Sequence, residues 1–128
     1  MSLELFNSGS AALVLFGNCI ACKMFASFFR AFNKDKSDEF LKKYRPAQMN
    51  EMEYSAVLIA VLLFLKSRGE ASSLGSTLVT VGNVGYPWVR GLFGDTPMPV
   101  MGLPFFAPFA AMRYFGMLCL AGSLSTAL

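Results

Sequence analysis

Long apolar segments alternate with short polar ones along this chain of 128 residues. The apolar segments lie at about residues 9–29, 49–65, 74–93 and 103–124. A helix that crosses a bilayer needs roughly 20 mostly apolar residues. The first, third and fourth segments meet that length, and the second would use basic anchors at its end. The pattern predicts an all-α fold, a four-helix transmembrane bundle that forms one domain over residues 1–128.

The composition agrees with a membrane protein. Hydrophobic residues make up 55% of the chain and charged residues 15%, whereas a soluble domain carries about a quarter charged residues. The first ten residues hold Glu4 but no Lys or Arg, so they lack the positive region of a cleaved signal and the first segment is expected to stay as a helix. The lipid bilayer is the expected partner, and no nucleic acid is expected.

The basic residues predict the orientation. The second loop carries only Lys66 and Arg68, and the third only Arg90. The first loop is far more basic and carries Arg30, Lys34, Lys36, Lys42, Lys43 and Arg45. Because Lys and Arg concentrate in cytoplasmic loops, loops one and three are predicted to be cytoplasmic, with both termini on the lumenal side.

The third and fourth segments contain helix-contact and turn residues. Gly82 and Gly85 would let helices approach closely, and Pro87 is expected to kink or end its helix. The proline-rich stretch at 94–108, which includes Pro97, predicts a turn before the fourth helix, with Pro108 in its first turn.

The residue types exclude several chemistries. The chain has no histidine, which removes His-based acid–base catalysis, His-ligated haem and most zinc sites, so no metal is expected. Cys19 and Cys22 form a C-x-x-C motif. It lies in an apolar segment, where thiols behave as small hydrophobes, so packing is favoured over redox work.

Two cations lie within apolar segments, where a charge is costly without a partner. Lys23 could extend to the cytoplasmic side or pair with Glu51 or Glu53, and the pairing is favoured. Arg113 lies about ten residues into the fourth segment. It needs a carboxylate, backbone carbonyls or an anionic ligand.

Polar residues open the second segment. Asn50, Glu53 and Tyr54 are spaced at i, i+3 and i+4 and would share one helix face. Pro46 predicts a helix start, and Glu51 points in a different direction from Glu53. One face therefore offers an amide, a carboxylate and a phenol near the cytoplasmic interface.

The run AQMNEMEY at 47–54 resembles the second-helix signature of the MAPEG family, the membrane-associated proteins in eicosanoid and glutathione metabolism. Lys23-Met24, followed by a basic loop, is also similar to that family. The resemblance implies a four-helix subunit that assembles as a homotrimer in the endoplasmic reticulum, while a mitochondrial or plastid membrane stays open.

The resemblance also implies a function and a site. Glutathione would bind between subunits near the cytoplasmic face, and its thiolate would attack a lipophilic electrophile or a lipid peroxide, as in a transferase or peroxidase. Tyr86 and Arg90 would be the catalytic residues. The residues implied to bind glutathione are Lys23, Arg45, Gln48, Asn50, Glu53 and Tyr54.

Departures from the family pattern keep alternatives open. The family's thiol-activating arginine near the start of the fourth helix has no clear match, because Arg90 precedes that helix and Arg113 lies within it. The family has an arginine four residues before the asparagine, where this chain has Pro46, and Arg45 stands one residue farther away. A planar guanidinium depends on its geometry. The alternatives are a catalytically degenerate accessory subunit of a larger membrane complex and a non-catalytic lipid-binding protein.

Overall fold

Four α-helices form the part of the chain that the computed structural model describes, which is residues 7–32, 37–69, 73–93, 99 and 102–128. The predicted all-α class is confirmed for these residues. The helices are α1 (Ser8–Phe32), α2 (Ser37–Ser67), α3 (Ser73–Phe93) and α4 (Ala107–Ala127).

Consecutive helices run antiparallel. Along α1 and α2, Cys22 contacts Tyr44 while Asn18 contacts Glu51, so the residue numbers run in opposite directions. The contacts between α2 and α3 and between α3 and α4 follow the same rule. The end of α1, the start of α2, the end of α3 and the start of α4 therefore lie at one end of the molecule.

The start of α2 differs from the prediction. The helix begins at Ser37 rather than near 49, and Pro46 lies inside it. A proline there removes one backbone hydrogen bond. However, Leu41 and Tyr44 are buried and the Tyr44 hydroxyl donates to the Cys22 carbonyl, so tertiary packing supports the extra turns. Most of the predicted first loop is helix, and Lys34 and Lys36 lie outside the described residues.

The predicted contacts of α3 are confirmed. A Cβ atom added at Gly82 would lie 2.6 Å from the backbone nitrogen of Arg113, so α3 and α4 approach closely at that position. Pro87 is buried inside α3 and does not end it. Pro108 lies in the first turn of α4, as predicted, although that helix begins at Ala107 rather than near 103. Pro97 lies outside the described residues.

The outward surface is strongly apolar. The stretches Ser8–Phe32 and Glu39–Ser67 are long and apolar enough to cross a membrane. In the most apolar 18-residue segment of each, only 22% and 33% of the residues are buried. Polar residues in α3 and Arg113 in α4 lower the hydropathy of the other two described helices. By length and composition, two of the described helices could therefore cross a membrane.

A small apolar core joins the four helices away from the polar residues. It packs α1 and α2 against α3 and α4. Its buried members are Ala11, Ala12, Leu15, Leu58, Leu62, Leu65, Val79 and Leu120. Because this core occupies the end near the chain termini, the other half of the molecule is free to hold polar groups.

Candidate functional site

An open recess of about 280 Å³ lies between α2 and α4. It is lined by Asn50, Glu53, Tyr54 and Val57 of α2 and by Met117 of α4. The prediction that the first three share one face is confirmed. The Glu53 carboxylate is exposed, whereas Asn50 and Tyr54 are half-buried. The recess therefore offers a negative charge at its rim and neutral polar groups deeper in.

A buried arginine stands behind this recess. The Nη1 atom of Arg113 donates to the Oδ1 atoms of Asn50, at 2.9 Å, and Asn83, at 3.1 Å. Its guanidinium carbon lies 3.9 Å from the centre of the Tyr54 ring and 4.5 Å from that of Tyr86. Aromatic faces attract a cation most strongly where water is excluded, so the two rings help to hold this charge in the interior.

The partners of Arg113 differ from those expected. Among the described residues, the two acceptors of its Nη1 atom are amide oxygens rather than a carboxylate or a backbone carbonyl. The side chain is 1% exposed, and its Nε–H has no hydrogen-bond partner among the described residues. Neutral acceptors do not cancel a charge, so the positive potential of Arg113 extends into the recess.

A chain of hydrogen bonds joins Arg113 to the buried carboxylate of Glu51. The Nδ2 atom of Asn83 donates to the Ser55 hydroxyl at 2.6 Å, and that hydroxyl donates to Glu51 Oε1 at 2.7 Å. With the bond from Arg113 to Asn83, each donor points from the cation toward the anion. Aligned bonds of this kind polarise one another, so two neutral side chains couple the buried charges.

Glu51 receives further donors from α1. Asn18 Nδ2 donates to Glu51 Oε1 at 3.1 Å, and Trp88 Nε1 donates to Asn18 Oδ1 at 2.9 Å. The Cys19 thiol lies 3.5 Å from both carboxylate oxygens. The predicted pairing of Lys23 with a glutamate is wrong for the described residues, because Lys23 is exposed and neutral donors satisfy Glu51. The network contains residues of all four helices.

The predicted catalytic pair is brought together next to the recess. Arg90 Nη1 donates to the Tyr86 hydroxyl at 2.6 Å, and the Arg90 guanidinium carbon lies 5.4 Å from the centre of the Phe106 ring. The Tyr86 ring also contacts Arg113, whose guanidinium carbon lies 4.5 Å from the centre of that ring. Tyr86 and Arg90 therefore adjoin the recess through Arg113 without lining it.

The other predicted residues lie elsewhere. Lys23, Arg45 and Gln48 line a separate cavity of about 170 Å³ between α1 and α2. On a helix, positions 48 and 50 are about 200° apart, which explains why Gln48 and Asn50 face opposite sides of α2. The predicted glutathione residues thus fall into two groups that line different cavities.

The cysteines and possible metal ligands add little chemistry. Cys19, Cys22 and Cys119 are free, and Cys22 is fully buried. This agrees with the predicted packing role of the C-x-x-C motif. No group of three metal-ligating side chains occurs in the part of the chain that the structure describes.

The residues singled out above from the sequence do not include four members of the polar network: Asn18, Ser55, Asn83 and Trp88. Asn83 carried a usable signal, because an amide inside an apolar helix usually has a partner on another helix. Ser55 carried none, since a serine in a helix often bonds to its own backbone.

These features define an all-helical protein with two membrane-capable helices and a polar recess backed by a buried arginine. Comparison with protein-family models, with curated proteins and with solved structures gives no match to this chain.

Proposed function

We propose that this chain is a membrane-bound, glutathione-dependent transferase or peroxidase that acts on lipophilic electrophiles. One observation carries the proposal: Asn50, Glu53 and Tyr54 line a single recess, and the buried charge of Arg113 lies directly behind two of them. The resemblance of residues 47–54 to the MAPEG signature suggests glutathione as the ligand.

The recess complements glutathione, which carries two carboxylates and an ammonium. The exposed Glu53 carboxylate is suited to the ammonium, and the Asn50 amide and the Tyr54 hydroxyl are suited to the peptide groups. The positive potential of Arg113 favours an anionic part of the ligand at the inner end. Arg113 acts through its field and through Asn50 and Tyr54, because the side chain itself is buried.

The same potential suits thiol chemistry. A cation near a thiol favours the thiolate, which is the nucleophilic form. In the transferase reaction, the sulfur would form a bond to carbon of the electrophile, and the leaving group would depart with its electron pair. Arg90 would orient the Tyr86 hydroxyl beside Arg113. In this proposal, each protomer contacts glutathione only from the side of α2 that lines the recess.

The proposed setting is an integral membrane homotrimer of the endoplasmic reticulum. All four helices would cross the bilayer, and both termini would face the lumen because the basic end is cytoplasmic. The recess is open at the surface. A neighbouring copy would close it and exclude water from the thiolate.

Turnover of glutathione and an activated aryl chloride by the purified protein in detergent tests this function. Glu53→Gln should abolish turnover, because the amide cannot pair with the ammonium. Glu39→Gln is the matched control, since Glu39 is an exposed carboxylate of the same helix outside the recess. Glutathione at 100 times its Kd should stabilise the protein by ~2.7 kcal/mol.

The proposal fails if millimolar glutathione leaves the unfolding temperature unchanged. It also fails if Glu53→Gln and Glu39→Gln turn over the aryl chloride at the wild-type rate. Mass measurement in detergent tests the homotrimer separately, so loss of assembly is distinguishable from loss of binding.

A second candidate is a catalytically degenerate accessory subunit of a larger membrane complex. The favouring observation is that no described arginine lines the recess, since Arg45 lines the separate cavity and Arg113 is buried. Co-purification with other membrane subunits at fixed stoichiometry, without glutathione turnover, would support it. A non-catalytic lipid-binding protein would instead bind an apolar ligand. It would neither co-purify with other subunits at fixed stoichiometry nor turn over glutathione.

A further inference from the structure

A groove between α1 and α2, formed by neighbouring cavities that share Lys23, changes from apolar to basic along its length. On α1 it follows Phe16, Ile20, Lys23, Ser27 and Arg30, which recur at helical spacing along one face. The antiparallel α2 forms the other wall. Lys23 lines both the apolar part and the basic part, so it marks the boundary between them.

The basic part consists of two adjoining cavities of about 170 and 420 Å³ that share Arg30, Leu41 and Arg45. Lys23 lines the first and Lys42 the second. None of the described residues that line these cavities is acidic. Among the described lining residues, four cations and no carboxylate therefore face these two adjoining cavities. An anion there would relieve the mutual repulsion of the cations.

Gln48 gives a second, independent sign of a ligand. Its side chain lines the smaller basic cavity and is 6% exposed, and its Nε2 atom has no hydrogen-bond partner among the described residues. A buried donor without a partner destabilises the fold. An oxygen-rich group bound in this cavity would accept from Gln48 while contacting the cations.

The apolar part has a volume of about 350 Å³. Its lining residues are Phe16, Cys19, Ile20, Lys23, Met52, Ala56 and Ile59. Phe16 and Lys23 are seven residues apart, which corresponds to about 10 Å along a helix. This length fits the upper part of one acyl chain, below a head group held by the cations.

We propose that this groove binds an anionic phospholipid, with the phosphate in the basic part and one acyl chain in the apolar part. The charge favours this occupant, because basic pockets between membrane helices on the cytoplasmic side bind anionic head groups. Free phosphate would use only the basic part. The site lies across α2 from the glutathione recess and does not depend on the proposed enzyme activity.

Binding of dioleoylphosphatidylglycerol to the full chain in detergent, measured by native mass spectrometry, tests this site. Dioleoylphosphatidylcholine and inorganic phosphate serve as the comparison ligands. A juxtamembrane cation contributes enough to change lipid affinity roughly fivefold. The double variant Arg30→Gln/Arg45→Gln should therefore weaken phosphatidylglycerol binding roughly 25-fold, whereas Arg68→Gln, an exposed cation outside the groove, should leave it unchanged.

Ala56→Phe tests the apolar part, because it fills the groove from an exposed position outside the basic cavities. It should weaken binding of the long-chain lipid and leave binding of a dihexanoyl analogue unaffected.

Glu53→Gln should bind lipid with wild-type affinity, which separates this site from the glutathione proposal. Equal binding of both long-chain lipids would overturn the proposal, as would phosphate alone binding with the affinity of the lipid. A double variant that changes the oligomer mass but not lipid binding would identify a second copy of this chain as the occupant and overturn it too.

Discussion

The side chain of Arg113 in α4 donates a hydrogen bond of 2.9 Å to Oδ1 of Asn50 in α2. Asn50 lines the recess while Arg113 is buried, so this bond connects the surface of the proposed site to the interior. The guanidinium carbon of Arg113 also lies 3.9 Å from the ring centre of Tyr54, a second lining residue. Substitution of Arg113 is therefore expected to change stability and ligand binding together.

Arg113→Lys should lower the free energy of unfolding by about 2 kcal/mol, because a hydrogen bond to a charged group contributes ~1.5–3 kcal/mol. An ammonium cannot reproduce the planar stack while bonding to two amides. Thermal unfolding in detergent measures the loss. Arg68→Lys is the control, since Arg68 is exposed and lies 5.4 Å from the centre of the Phe64 ring. Equal stability of the two variants would contradict the structural role of Arg113.

Glu51→Gln should also destabilise the protein, by about 2 kcal/mol. Asn18, Ser55 and Cys19 all direct donors at the Glu51 carboxylate, and a glutamine would turn its own NH₂ group toward one of them. Glu39→Gln, at an exposed position of the same helix, should stay within about 0.5 kcal/mol of wild type. Wild-type stability of Glu51→Gln would contradict the structural role of these hydrogen bonds.

Gly82→Ala should cost about 1–3 kcal/mol through overpacking. The new Cβ would lie 2.6 Å from both the Arg113 nitrogen and the Phe109 oxygen, and backbone atoms at a helix contact cannot move aside easily. Gly122→Ala places a methyl group in open space on α4, so it should be neutral or stabilise that helix by about 0.5–1 kcal/mol. Unfolding temperatures of the two variants give the comparison, and a neutral Gly82→Ala would mean that α3 and α4 are farther apart.

The Cys22 thiol should resist a maleimide until the protein unfolds. Cys22 is 0% exposed on the α1 face toward Tyr44, so the reagent cannot reach the sulfur in the folded state. Ser27→Cys, at an exposed position of the same helix, should be labelled at once. Tandem mass spectrometry locates the label, and rapid modification of Cys22 under folding conditions would show that α1 separates from α2.

Local spacing predicted the recess face correctly because it depends only on the helix repeat. Asn50, Glu53 and Tyr54 fall on one side of any α-helix that contains them. The start of α2 could not be predicted in the same way. Pro46 is a helix-start signal in isolation, and only the burial of Leu41 and Tyr44 against other helices explains why the helix begins earlier.

The partners of Arg113 could not be predicted from the sequence, because they depend on tertiary contacts. The need for a partner was clear from its place in an apolar segment, but Asn50 and Asn83 are 63 and 30 residues away. Similarly, the sequence grouped Gln48 with Asn50 through the family resemblance. The structure separates them because neighbouring even positions on a helix point to opposite sides.

The length of α2 has a further consequence for the position of the cations. Its 31 residues extend about 46 Å, which exceeds the ~30 Å thickness of the hydrocarbon layer. If α2 crosses a bilayer, roughly its first three turns stand among the lipid phosphates. A continuous helix would then hold Lys42 and Arg45 at a fixed height above the acyl chains. In a flexible linker, the same residues would have no fixed position relative to the membrane.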